Sequence, residues 1–82
     1  MSDLEKTLYD LVKPIVESTD ALSVKHMPSL NENEVVLYVY AKSEDVARLI
    51  GRQGTMATAL RQLMSIASRL EDKKITIKFE SY

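Results

Sequence analysis

Both glycines of this chain stand in one four-residue break, Gly51-Arg52-Gln53-Gly54, between two amphipathic helical patterns. An average chain is about 7% glycine, so about six would be expected at this length. Elsewhere the turns are built from Asn, Asp, Ser and Lys. A residue type withheld everywhere else and doubled here marks a backbone need: positive φ, or an approach too close for a Cβ. A plain helix–helix turn often holds one glycine. A G-x-x-G pair preceded by Ile50 and followed by an amphipathic helix demands more than a turn does.

The flanking elements follow from their periodicity. Ser43 is placed to cap the helix before the break, with Glu44 and Asp45 in its first turn, where the helix dipole favours acids. Val46, Leu49 and Ile50 form its buried edge. After the break a longer helix runs from about Thr55 to Leu70, with Met56, Leu60, Leu63, Met64, Ala67 and Leu70 on one face. At the other end Ser2 and Glu5 read as a capping box, and Leu4, Leu8, Leu11, Val12, Ile15 and Val16 recur at helical spacing. Pro14 falls inside that run and removes a backbone hydrogen bond, so a kink is expected, or failing that a second short turn.

Strand patterns fill the rest. Leu22, Val24 and His26 alternate with Ser23, Lys25 and Met27 until Pro28, and Asn31, Glu32 and Asn33 supply a polar turn. The run from Val35 to Tyr40 puts Val35, Leu37 and Val39 on one face and Val36, Tyr38 and Tyr40 on the other, both at least partly covered. Ile75, Ile77 and Phe79 alternate with Thr76, Lys78 and Glu80 in a closing strand. The order α-β-β-α-α-β predicts a single α+β domain over residues 1–82, with three helices against a three-stranded sheet.

Several chemistries have no residues to carry them. With no cysteine and His26 as the only histidine, disulfides, cysteine-bearing zinc sites, thiolate nucleophiles and paired-histidine metal sites are excluded. His26 reads as a strand or edge residue. Ser43, Ser65 and Ser68 lack base and acid partners, and neither the P-loop nor G-x-G-x-x-G is present. No catalytic residue, metal or cofactor is therefore expected. No run approaches the ~20 apolar residues of a membrane span and no signal-peptide core opens the chain, which predicts a soluble intracellular protein.

Charge is informative only by halves. Residues 1–41 carry three lysines against seven acids, and residues 42–82 carry eight basic residues against five acids, within a net charge of −1. Any polyanion site belongs in the second half, though basic surface is usually just solvated surface. Lys73 and Lys74 read as the solvated start of a strand. Met27 and Met64 read as core, and Met56 as either core filler or groove lining. Tyr9, Tyr38, Tyr40 and Tyr82 are scattered in sequence and are assigned to packing or surface roles.

With the strands included, the segment Leu49-Ile50-Gly51-Arg52-Gln53-Gly54-Thr55-Met56, inside the order α-β-β-α-α-β, resembles a KH domain of the prokaryotic arrangement (type II). Within that class the chain is similar to the small stand-alone bacterial KH proteins, the KhpA or YlqC group. Val12-Lys13-Pro14-Ile15-Val16 and the Asp20-Ala21-Leu22 entry to the first strand add to the likeness, which covers essentially the whole chain. The resemblance implies non-catalytic binding of single-stranded RNA, with Ile50, Gly51, Arg52, Gln53, Gly54 and Thr55 as the binding residues. It also implies a cytoplasmic bacterial protein that pairs with itself or with a larger KH-containing RNA-binding protein (the KhpB or Jag type). In relatives such pairing is linked to post-transcriptional control and to cell growth or division. KH modules clamp RNA against a GXXG loop, and the side chains here suit that task. Two glycines let a sugar–phosphate chain lie on the backbone, the helix opening at Thr55 presents positive partial charge, and Arg52 offers a planar fork to a phosphate. Ile50 would floor the groove and the Val35–Ala41 strand would form its other wall.

The chain departs from the group at Thr55 and Thr58, where relatives commonly carry basic side chains. Arg52 is the only cation inside the loop, with Arg48, Thr58 and Arg61 as secondary contacts, so weak RNA binding of broad sequence tolerance is expected. Two such domains acting together would raise apparent affinity without new contacts. The competing reading is a KH-form protein-interaction module that dimerises and binds little RNA. A helix-turn-helix DNA binder built on Ser43–Ile50 and Thr55–Leu70 is the third, opposed by the strand patterns on either side and a weakly basic second helix.

Overall fold

The structure, a computed structural model, describes residues 3–68 and 73–82. Its elements are α1 (Asp3–Val12), β1 (Ser23–Met27), β2 (Glu34–Ala41), α2 (Ser43–Ile50), α3 (Thr55–Ser68) and β3 (Lys74–Ser81), with 3-10 turns at Thr19–Ala21 and Arg52–Gly54. This is the α-β-β-α-α-β order expected of the KH arrangement. The strands lie in the order β1-β2-β3, with β1 antiparallel and β3 parallel to β2. A parallel neighbour requires a crossover, and α2 and α3 form it.

The crossover decides which face of the sheet is buried. Along β2 the side chains of Val35, Leu37, Val39 and Ala41 are buried, while Val36, Tyr38 and Tyr40 are half-buried. Leu8 and Val12 of α1, Leu49 of α2, Leu60 and Met64 of α3 and Ile75 of β3 close over the first set. All three helices sit on that one face, and the other face of the sheet is open.

Five local expectations change. The first helix does not kink at Pro14; it ends at Val12, and Lys13-Pro14-Ile15 form a turn in which Ile15 N–H donates to the Val12 carbonyl at 2.9 Å. Proline lacks the N–H that Asp10 would need, its ring crowds the preceding turn, and it biases Lys13 away from helix, so ending costs less than bending. Ser43 is not the cap of α2: the Lys42 carbonyl accepts the first helical bond, from Val46 N–H at 2.9 Å, which makes Ser43 the first helical residue. The buried edge of α2 is Asp45 and Leu49, with Ile50 38% exposed. Among the described side chains of α3, Leu60 and Met64 are the buried ones, whereas Leu63 and Ala67 face outward, as does Ile66. Met27 lies on the open face of the sheet rather than in the core. Ser2, the cap expected for α1, and Leu70 lie outside the described residues. Glu5 accepts a hydrogen bond from the His26 backbone N–H at 3.1 Å, tying α1 to β1.

A candidate nucleic-acid interface at the Gly51–Gly54 loop

The two glycines answer different needs. Gly51 (φ 75°) ends α2, its N–H donating to the Ala47 carbonyl at 3.0 Å. A Cβ there would sit 2.7 Å from the Met56 Cβ and 2.8 Å from its backbone nitrogen, so both the torsion and the space demand glycine. Gly54 (φ 77°) needs its torsion too, yet a Cβ there would meet nothing within 4 Å. Gly51 packs the loop against α3, and Gly54 keeps a bare stretch of backbone facing open space. Between them Gln53 takes φ 56° and ψ 27°, a left-handed conformation that costs a side-chain-bearing residue ~1–2 kcal/mol. Strain of this kind persists only where surrounding structure fixes it.

A 3-10 turn links this corner to α3. Gly54 N–H donates to the Gly51 carbonyl at 3.3 Å, and Thr55 N–H donates to Arg52. The Thr55 hydroxyl donates to the same Arg52 carbonyl at 2.9 Å. The amides of Gly54 and Thr55 are thus engaged within the loop. What α3 offers a phosphate is the positive end of its dipole rather than those two donors. Arg52, Gln53, Thr55, Thr58 and Arg61 are all exposed, and Ile50 and Met56 flank the loop at 38% and 37% exposure.

Arg48 is placed differently. Its Nη1 donates to Asp45 Oδ1 at 2.7 Å and its Nη2 to Glu17 Oε1 at 3.2 Å. Two carboxylates of its own chain hold the guanidinium and reduce what it offers to RNA. Asp45 has a structural task that no sequence signal announces. It is 1% exposed and accepts the backbone N–H groups of Glu17 and Ser18, both at 3.0 Å. Those two amides, first Glu17 and then Ser18, hold its carboxyl below the usual carboxylate range; burial opposes them and Arg48 adds to them. Asp45 thereby pins the segment that leaves α1 to the helix that leads into the loop.

β2, the expected groove wall, is the middle strand of the sheet, hydrogen-bonded on both sides, while α2 and α3 pack on β3, an edge strand among the described residues.

A G-x-x-G corner between two helices, on the α-β-β-α-α-β frame with this mixed sheet, defines a KH domain. The comparison with protein families agrees: the KhpA/KhpB KH-domain model matches residues 5–79, and the chain belongs to that family. A protein of Listeria monocytogenes named RNA-binding protein KhpA is 28% identical over 75 residues, covering 92% of this chain and 96% of the relative. Its namesake in Caldanaerobacter subterraneus is 28% identical over 78 residues, covering 95% and 97%. That of Lactiplantibacillus plantarum is 29% identical over 80 residues, covering 98% and 92%. These are names of binding proteins, not of enzymes, in agreement with the non-catalytic reading.

Proposed function

We propose that this chain is a non-catalytic RNA-binding protein that takes single-stranded RNA on the Ile50–Thr55 loop, with little sequence preference, in post-transcriptional regulation in the cytoplasm. The observation that carries the reading is Gly54, bare backbone facing open space beside exposed Arg52, in a family whose named relatives bind RNA. A sugar–phosphate strand laid on Gly54 would meet the Arg52 fork and the positive end of α3, with bases toward Ile50 and Met56. With Arg48 held by carboxylates, Arg52 and Arg61 are the exposed cations of the loop and of α3 among the described residues. Two such contacts correspond to a log–log salt slope of about −1.4 on a single strand. The outward face of α3 argues against a DNA recognition helix, since Arg61 is the only basic residue in Thr55–Ser68.

Binding this thin favours action in pairs. Leu63 and Ile66 lie on one side of α3 at 47% and 75% exposure, an apolar strip beside the buried one. Pairing along it, with a second copy or a larger KH protein of the KhpB type, would place two weak sites on one RNA.

The RNA reading is tested by anisotropy titration of short single-stranded RNA against the parent and the Arg52→Asp, Gln53→Asp double variant, with folding checked by circular dichroism. Loss of at least tenfold in affinity by a folded variant is expected. Equal affinity of the two proteins would remove the loop from RNA binding.

A further inference from the structure

The open face of the sheet carries a feature that the loop does not use. Tyr38 and Tyr40 stand side by side on β2, ring centroids 6.0 Å apart and planes 24° from parallel. The ring of Tyr82, just beyond β3, continues the row at 6.2 Å from Tyr40 and 33°. Tyr38 and Tyr40, two apart on one strand, share a face, and the parallel register of β3 beside β2 brings the sequence-distant Tyr82 into the same row. Tyr38 is flanked in register by Lys25 on β1 and Lys78 on β3, both exposed. Beyond Tyr38 the row runs into an open groove of about 640 Å³, whose lining includes Met27, Leu30, Val36 and Lys78. Of the acids on this face, Glu34 accepts hydrogen bonds from Ser29 and Thr76 hydroxyls, at 3.0 Å each, and Glu80 is exposed opposite Tyr40.

We propose that this face is a second contact surface for single-stranded RNA, with bases stacking on Tyr38, Tyr40 and Tyr82 and phosphates meeting Lys25 and Lys78. Aromatic rings on a sheet flanked by cations are how sequence-tolerant single-strand binders hold bases, because every base has a π-face. Positive charge beside the rings matches a polyanion and opposes an acidic partner. The surface lies on the side of the sheet away from the helices, so it acts independently of the Gly51–Gly54 loop. An RNA too long for the loop alone could be held at both.

The chain has four tyrosines and no tryptophan, so its intrinsic emission is tyrosine emission and reports stacking directly. The experiment titrates a decameric oligouridine into the Arg52→Asp, Gln53→Asp protein, which removes the loop contribution. Salt-sensitive quenching is expected, with anisotropy giving the same midpoint. Adding Tyr38→Leu and Tyr40→Leu should remove most of the quenching, leaving what Tyr82 reports, and weaken binding at least about tenfold, the loss of two stacking rings. Lys78→Ala, at an exposed position, should weaken binding without touching the fold. Absence of quenching by RNA overturns the proposal, as does binding unchanged by the tyrosine and lysine substitutions. So does sedimentation showing a dimer that the tyrosine substitutions dissolve, since the face would then belong to a second copy.

Discussion

Gly51 and Gly54 look identical in sequence and are predicted to fail in different ways. Gly51→Ala forces a Cβ against the Met56 backbone in addition to the torsional strain, and should cost at least about 2 kcal/mol, a fall in Tm of ~8 °C or more. Gly54→Ala carries the torsional cost alone, ~1–2 kcal/mol, and stays folded, yet it places a methyl where RNA is to lie. Thermal melts paired with RNA titrations separate the two effects; equal Tm losses with equal affinity losses would contradict the distinction. Asp45 makes the other residue-scale prediction. Its pKa is lowered on folding, so its stabilisation is complete above the unfolded value near 3.8 and is lost as pH falls below it. Denaturant melts from pH 6 to pH 2 should show Asp45→Asn less stable at neutral pH and less sensitive to acid than the parent. The i+3 spacing to Arg48 could have been read from sequence, but the partners that matter are amides of Glu17 and Ser18, 28 and 27 residues away. Only the fold brings them near.

Periodicity located every helix and strand, but not where each ends or which apolar residues go inside. Pro14 marks a break in the helical pattern, and its missing N–H and its bias on Lys13 end α1 at Val12 rather than bend it. On α3 the apolar positions form a band wider than the sheet can cover, so a helical pattern cannot say that Leu60 and Met64 go inward while Leu63 and Ile66 stay out. The excess is the basis of a prediction for this element. Ile66→Glu, at a 75% exposed position, should leave Tm within a few degrees and shift sedimentation from dimer to monomer. A monomeric parent, or a dimer indifferent to the change, would refute pairing through α3. Half of the tyrosine row is legible in the sequence: alternation puts Tyr38 and Tyr40 on one face, but Tyr82 joins them only through the parallel register of β3 on β2.

For the whole molecule, the G-x-x-G break and the order of elements carried the fold and the candidate loop, because both are local patterns. Strand order within a sheet is a long-range property, so no local pattern says that β2 lies in the middle of the sheet and β3 at its edge beside α2 and α3. The uneven charge along the chain pointed to the second half but could not show that Arg48 is held by Asp45 and Glu17. Mapping backbone amide shifts in the ¹⁵N-labelled protein with a short single-stranded RNA tests the central claim most directly. The largest shifts should fall on Ile50, Gly51, Arg52, Gln53, Gly54 and Thr55, shrinking as salt rises. Amides of that loop left unmoved while RNA binds elsewhere, or unmoved at millimolar RNA, would contradict the account.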